Sequence, residues 1–202
     1  MFETIQLRNR KLHNLAYHNR RMQQSRSELL GISEEVNLED VIQIPEWVGE
    51  SLYRCRVSYR NRIEKIEFFT YQAKHPRRIE LAEDVSFKYP YKYEDRSTFQ
   101  QLLIQNPEAD DVIILHNGKL TDATFANIAV FDGTNWLTPY TPLLKGTKRQ
   151  FLLDKGILKE SVISAEDLKS FNQLALINAM RDLDIVYNYS FHDNHLIING
   201  TD

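Results

Sequence analysis

The sequence predicts an α+β protein of two lobes, a small N-terminal one over residues 1–87 and a larger, strand-rich one over residues 88–202. Three observations predict it. Before residue 88, short runs of alternating apolar and polar residues accompany one long helical stretch. At 88–95, "KYPYKYED" is aromatic, charged and interrupted by Pro90, as a connector is. After it, strands and short helices follow closely, punctuated by the turn pairs Asn117-Gly118 and Asp132-Gly133.

Each element has its own signal. "FETIQL" reads as a strand and "RNRK" as a polar turn, followed by a helix from about Leu15 to Leu30 that Gly31 ends. Tyr53, Cys55, Val57 and Tyr59 alternate with more polar residues, which marks a half-buried strand. "RIEKIEFFTYQ" and "RRIELAEDVSF" suit two more strands, completing a largely antiparallel sheet in the small lobe. "DRSTFQQLLIQN" is a helix that Asp95 or Ser97 could cap, with Phe99, Leu102 and Leu103 on one face. "DDVIILHNG" is a buried strand leading into "NGKLTDATFANIAVFDG", which reads as a β-hairpin. "NWLTP" makes a strand, "GTKRQFLLDKG" a helix closed by Gly156, and "SAEDLKSF" carries the helix-start spacing Ser164 to Asp167. "QLALINAM" and "DIVYNYSF" are late strands.

Composition narrows the function. At 42% hydrophobic and 26% charged residues, the chain is of the ordinary globular class. A net charge of -3 provides no global field for nucleic acid or an anionic membrane. The single cysteine, Cys55, excludes a disulfide framework. No apolar run approaches the roughly 20 residues that span a bilayer, and the N-terminus lacks a signal-peptide core. A cytoplasmic protein is the expectation, with no nucleic acid and no membrane. The basic residues Arg8, Arg10, Lys11, Arg20, Arg21 and Arg26 fit either a solvated helix face or an anion site.

A few residues could carry chemistry. Asp122 and Asn127 lie in strand-forming sequence that disfavours both, so they reflect either structural irregularity or a charge placed for chemistry. Lys92, between Tyr91 and Tyr93, is either an exposed lysine among packed aromatics or a lysine at a lobe interface, made nucleophilic by desolvation. In "LLKGTKRQFLL", Gly146 immediately precedes a helix whose first N–H groups are unpaired. This is either a plain junction or an anion site. No P-loop, dinucleotide fingerprint, nucleophile elbow or metal-ligand spacing occurs in the chain.

Taken together, "FETIQL", "YHNRRMQQS", "KYEDR", "LTDATFANIAVF", "TPLLKGTKR" and "INAM" resemble, in order and spacing, the class IV aminotransferases. These are the fold-type IV pyridoxal-phosphate (PLP) enzymes, which include branched-chain and D-amino acid aminotransferases and 4-amino-4-deoxychorismate lyase. The resemblance implies that fold, a pyridoxal 5'-phosphate cofactor, a small-molecule amine substrate and a homodimer. It places Lys92 at the family's Schiff-base lysine and Arg21 at the arginine that pairs with the cofactor phosphate. Thr147 and Lys148, after Gly146, fall on the residues whose backbone N–H groups complete the phosphate cup. Asp122 falls on the glutamate facing the pyridine nitrogen, one methylene shorter, and Asn127 on an asparagine supporting that loop. Arg96 stands where transaminases of the family often have Tyr and some of the lyases have Arg, and it is grouped with the cofactor-binding residues. The resemblance further implies an N-terminal segment ahead of "FET", and this sequence starts at Met1. The expected activity is a PLP enzyme, with the folate-pathway lyase that releases p-aminobenzoate favoured over an aminotransferase, and an inactive cofactor-binding homologue as a further alternative.

Overall fold

The computed structural model describes residues 1–84 and 86–201, and the fold is α+β. The chain divides into two compact units: Met1–Ala73 with Tyr91–Glu94, and Lys74–Pro90 with Asp95 onward.

In the first unit, β1 (Phe2–Arg8), β2 (Lys11–Leu12), α1 (Leu15–Leu30), α2 (Leu38–Val41), β3 (Tyr53–Tyr59) and β4 (Ile63–Thr70) follow one another. The sheet order is β2-β1-β3-β4, antiparallel throughout. Strand parity sends Ile5, Cys55 and Val57 inward, where Met22 and Leu38 meet them. Helix α1 buries His18, Met22, Ser25 and Arg26, a stripe at helical spacing. It ends as its sequence predicts. Gly31 takes φ +67°, its N–H donates to the Ser27 carbonyl at 3.0 Å, and the Ile32 N–H donates to the Arg26 carbonyl at 3.2 Å.

The second unit contains β5 (Arg78–Glu83), α3 (Ser97–Gln105), β6 (Asp111–His116), β7 (Lys119–Ala123), β8 (Asn127–Phe131), β9 (Trp136–Pro139), α4 (Thr147–Asp154), β10 (Leu158–Ser161), β11 (Gln173–Ile177), β12 (Val186–His192) and β13 (His195–Thr201). The strand order is β10-β9-β8-β11-β12-β13-β5-β6-β7, and a further β7–β8 pairing closes seven of these strands into a barrel-like ring. Ile79, Ile113, Leu120, Ile128, Leu174 and Tyr187 belong to its core.

The expected lobe boundary near residue 87 differs from this division. Strand β5 pairs in parallel with β6 and antiparallel with β13, so it belongs to the larger sheet. Residues Tyr91–Glu94 join the first unit instead: the Phe2 N–H donates to the Lys92 carbonyl at 3.1 Å, and Glu94 accepts from Arg56 and Ser58. The stretch 117–133 also differs from one hairpin. Asn117-Gly118 turns β6 into β7, Asp132-Gly133 turns β8 toward β9, and β7 meets β8 in register at Asp122 and Asn127. At α3 the N-cap position is Arg96, without a side-chain cap of its own, and Asp95 just before it accepts the Ser97 N–H at 2.9 Å. No helix of the described residues is long and apolar enough to cross a membrane.

Candidate active site

Two clusters of buried polar side chains stand out, one in each unit. In the first, Glu3 is fully buried because it shares the inward face of β1 with Ile5 and Leu7. Arg21 grips it through Nε to Oε1 at 2.9 Å and a terminal nitrogen to Oε2. His18, one helical turn earlier, brings Nδ1 to 2.6 Å from Oε2. A carboxylate only accepts, so Nδ1 carries the hydrogen. Burial alone would raise the Glu3 carboxyl, but Arg21 and His18 outweigh it and bring it down to about 2. Burial lowers the proton affinity of His18, against the pull of Glu3.

Lys92 is half-buried in the same unit. Its backbone is tied to β1 through Phe2, and its Nζ lies 4.9 Å from the centre of the Phe2 ring. The Tyr91 and Tyr93 rings meet edge-on at 5.9 Å, and Tyr91 donates to Glu28 at 2.7 Å.

The second cluster is built around Asp122. Asn127 Nδ2 donates to Asp122 Oδ1 at 2.7 Å and the Leu144 N–H to Oδ2 at 2.8 Å. Asn127 also donates to the Leu144 carbonyl at 2.8 Å, tying the segment before α4 to β8. Burial raises Asp122 to about 7, against these amide donors and the more distant positive charge of Arg149. Gly146 closes the arrangement. A Cβ there would fall 1.9 Å from Asn127 Oδ1, so only glycine lets the chain pass this close.

Helix α4 begins at Thr147, with the Gln150 N–H returning to the Gly146 carbonyl at 2.9 Å. Its first three residues, Thr147, Lys148 and Arg149, are all buried. Lys148 Nζ pairs with Asp182 at 2.6 Å, and Arg149 donates to the Pro139 carbonyl at 2.8 Å and to Glu160 at 2.7 Å. Arg96 sits at the N-cap of α3, its guanidinium 4.5 Å from the Phe99 ring centre and donating to the Thr124 carbonyl.

Asp122, Asn127, Gly146, Thr147 and Lys148 therefore share one region of the larger unit, while Arg21 and Lys92 belong to the smaller one. The basic N-terminal residues do not form a uniform solvated face: Arg21 and Arg26 turn inward, and Arg26 donates to the carbonyls of Glu34 and Asn61. Sequence reasoning missed Glu3, His18, Arg149 and Asn178. Glu3 had a visible signal, since it occupies the apolar parity of "FETIQL".

Comparison with known proteins supplies the context. The family model for class IV aminotransferases matches residues 96–187. An uncharacterized protein of Haemophilus influenzae is 37% identical over 185 residues, covering 91% of this chain and 98% of that one. A crystal structure from Haemophilus somnus 129PT, provisionally described as a 4-amino-4-deoxychorismate lyase, is 30% identical with a TM-score of 0.82, covering 91% of this chain and 97% of that one. The PLP-bound form of a hypothetical aminotransferase from Mycobacterium tuberculosis shares the fold at 19% identity and a TM-score of 0.72, over 89% of this chain and 77% of that one. With a near full-length relative above 30% identity and a family model spanning the Asp122 and Gly146 elements, the chain belongs to the class IV aminotransferases, the family of PLP-dependent aminotransferases and lyases.

Proposed function

We propose that this protein is a 4-amino-4-deoxychorismate lyase, eliminating pyruvate from its substrate to leave p-aminobenzoate. The residues present fit the cofactor. Asp122 is a buried carboxylate whose direct partners are amide donors, and burial raises its proton affinity further than these donors and the distant Arg149 bring it down. A protonated pyridine nitrogen would supply a close cation. Thr147 and Lys148, opening α4 after Gly146, would hold the phosphate with their N–H groups, and Arg21 would pair with it. Lys92 would hold the cofactor's aldehyde carbon.

Pyridoxal phosphate supplies, when bound, an electron sink for the carbon bearing the substrate's amine. Lys92 Nζ would take the proton from that carbon and, as the bond from the ring to the ether oxygen breaks, would return a proton to the methylene carbon of the departing pyruvate. Asp122 would be ionised beside the ring nitrogen and would hold the proton there. The elimination needs no second substrate, because the atoms of aminodeoxychorismate divide fully between p-aminobenzoate and pyruvate.

The observation that favours elimination over amino transfer is the 30% identity with the Haemophilus somnus protein across nearly its whole length. The arginine at position 96 points the same way. The second reading, an aminotransferase of branched-chain or D-amino acid type, is favoured by the fold shared with the Mycobacterium tuberculosis protein. A cytoplasmic homodimer on the folate route completes the reading, as the family resemblance implies.

The deciding experiment supplies aminodeoxychorismate to the PLP-loaded protein and follows p-aminobenzoate and pyruvate. Equimolar release of both is expected. Keto acid formation from a common amino acid, with no p-aminobenzoate, would move the assignment to the aminotransferase. Borohydride treatment followed by peptide mass spectrometry should find the cofactor fixed on Lys92, and an adduct on Lys88 would overturn that role.

A further inference from the structure

The three-residue turn Thr124–Ala126 joins the strand of Asp122 to the strand of Asn127. Strand pairing alone holds it poorly, since β7 and β8 meet in register only at Asp122 and Asn127. Side chains from three separate elements make up the difference. Asp111, fully buried at the start of β6, accepts through Oδ1 both the Thr124 N–H at 3.2 Å and the Thr124 hydroxyl. Arg96, at the N-cap of α3, donates to the Thr124 carbonyl. Asn178, just past β11, donates through Nδ2 to the Phe125 carbonyl at 3.1 Å, while its Oδ1 accepts the Met180 N–H at 2.8 Å. Across the turn itself, the Ala123 N–H reaches the Ala126 carbonyl at 2.9 Å.

We propose that Asp111, Arg96 and Asn178 are positioning residues that clamp this turn and thereby fix the carboxylate of Asp122. The inference rests on the reading of Asp122 as the partner of the cofactor's ring nitrogen. Arg96 then acts on the chemistry through the Thr124 carbonyl, and neither cofactor nor substrate has to touch it. Asn178, from the "INAM" stretch, has the same duty from the other side. The arrangement follows from the turn's size. The Ala126 carbonyl is met across the turn by Ala123, whereas those of Thr124 and Phe125 take donors from outside it, and at the buried Thr124 a carbonyl without a donor would be costly.

The test measures the pH midpoint of the bound cofactor's absorption, together with its dissociation constant, in the PLP-loaded protein. Asp122→Asn should move the midpoint by about one pH unit or more, a tenfold change in proton affinity. Arg96→Met, Asp111→Asn and Asn178→Ala should each move it the same way by less, and Arg96→Lys, which keeps a donor, should restore most of it. Arg96→Met combined with Asp111→Asn should shift it by less than the sum, because both release one turn. Should Asp111→Asn fail to fold, Thr124→Val removes the same hydroxyl contact and takes its place in the cycle. Additive effects, or a rise in KM for Arg96→Met with an unmoved midpoint, would overturn the clamp. A midpoint unmoved in Asp122→Asn itself would overturn the reading of Asp122, and one moved there but in no clamp variant would overturn the clamp alone.

Discussion

Glu3 and Asp122 are both strand carboxylates, both buried and both hydrogen-bonded, yet their proton affinities move in opposite directions. Glu3 faces the guanidinium of Arg21 and the imidazole of His18, and its carboxyl falls to about 2. Asp122 faces the side-chain amide of Asn127 and the backbone N–H of Leu144, and it rises to about 7. Burial opposes ionisation in both cases. What differs is whether a charge stands close enough to repay the desolvation. Glu3 belongs to a completed ion network, whereas Asp122 has only amide donors at hydrogen-bond contact among the described residues, which is the setting the proposed pairing with a cofactor cation would complete.

The largest effect should come from breaking the completed network. Glu3→Gln leaves the largely buried Arg21 beside a neutral amide, and removing one partner of a buried ion pair costs about 3–5 kcal/mol. Urea unfolding of the cofactor-free protein measures it, and a loss below about 1 kcal/mol, the scale of exposed pairs, would show that Arg21 finds another partner. Cofactor affinity should fall in the same variant, since Arg21 is no longer held.

Asp122→Asn should do less to the fold and more to the chemistry. The amide oxygen can still accept one of the two donors, so the fold survives, while the negative charge at the ring nitrogen is lost. Removing one preorganised electrostatic group typically costs about 10²–10³-fold in turnover, and kcat for p-aminobenzoate release reports it. Turnover at the wild-type rate would make Asp122 a turn residue and dissolve the contrast with Glu3.

Gly146→Ala sharpens the comparison sterically. At φ -67° the backbone accepts any residue, so the cost is the clash with Asn127 Oδ1 alone. Overpacking of this kind costs about 1–3 kcal/mol, readable as a lower melting temperature. Asn127 must move to admit the methyl, so Asp122 should lose a donor and the pH response of the bound cofactor should change in parallel.

Much of this was legible in the sequence, and the reasons are local. Gly31 and Gly156 end helices where the backbone turns left-handed, and the Ser164–Asp167 spacing became a reciprocal cap with contacts of 2.7 Å and 3.2 Å. Asp122 and Asn127 stood out because strands disfavour them. What escaped were non-local choices. Strand β5 has the alternation of a small-lobe strand, and only its pairing with β6 and β13 assigns it to the larger sheet. Strand β13 has no comparable sequence signal, because its last residues are polar and exposed. Glu3 was overlooked although its parity betrays it, since a charged residue on an apolar face calls for a partner that sequence alone does not show. Asp111 and Asn178 were invisible for the same reason: their partners lie 13 and 53 residues away.

The smallest effect is a slope, and it tests the comparison most directly. Glu3 has its affinity depressed, so its contribution is present above its ordinary value of 4.5 and is lost as pH falls toward about 2. Asp122 is raised from 3.8 to about 7, so across that window the folded state binds a proton that the unfolded chain has released. Stability should therefore fall as pH rises from 3.8 to 7, by up to about 1.4 kcal/mol per pH unit. Asp111, pushed by burial to about 6, adds the same sign in the lower part of the window. His18 tilts the curve the other way below 6.5, because burial keeps it neutral while the unfolded chain protonates. The difference between wild type and Asp122→Asn removes both of these contributions. Urea midpoints of the cofactor-free proteins should show that difference shifting toward wild type from pH 7 down to 4 and constant above 7, whereas the Glu3→Gln difference should be flat above 6.5, where neither Glu3 nor His18 titrates. On the proposed reading bound PLP would supply a cation beside Asp122, so in the loaded protein the Asp122 slope should disappear. A flat difference in the cofactor-free protein would mean that Asp122 is ionised throughout, with a charge already beside it, and the two carboxylates would then be of one kind.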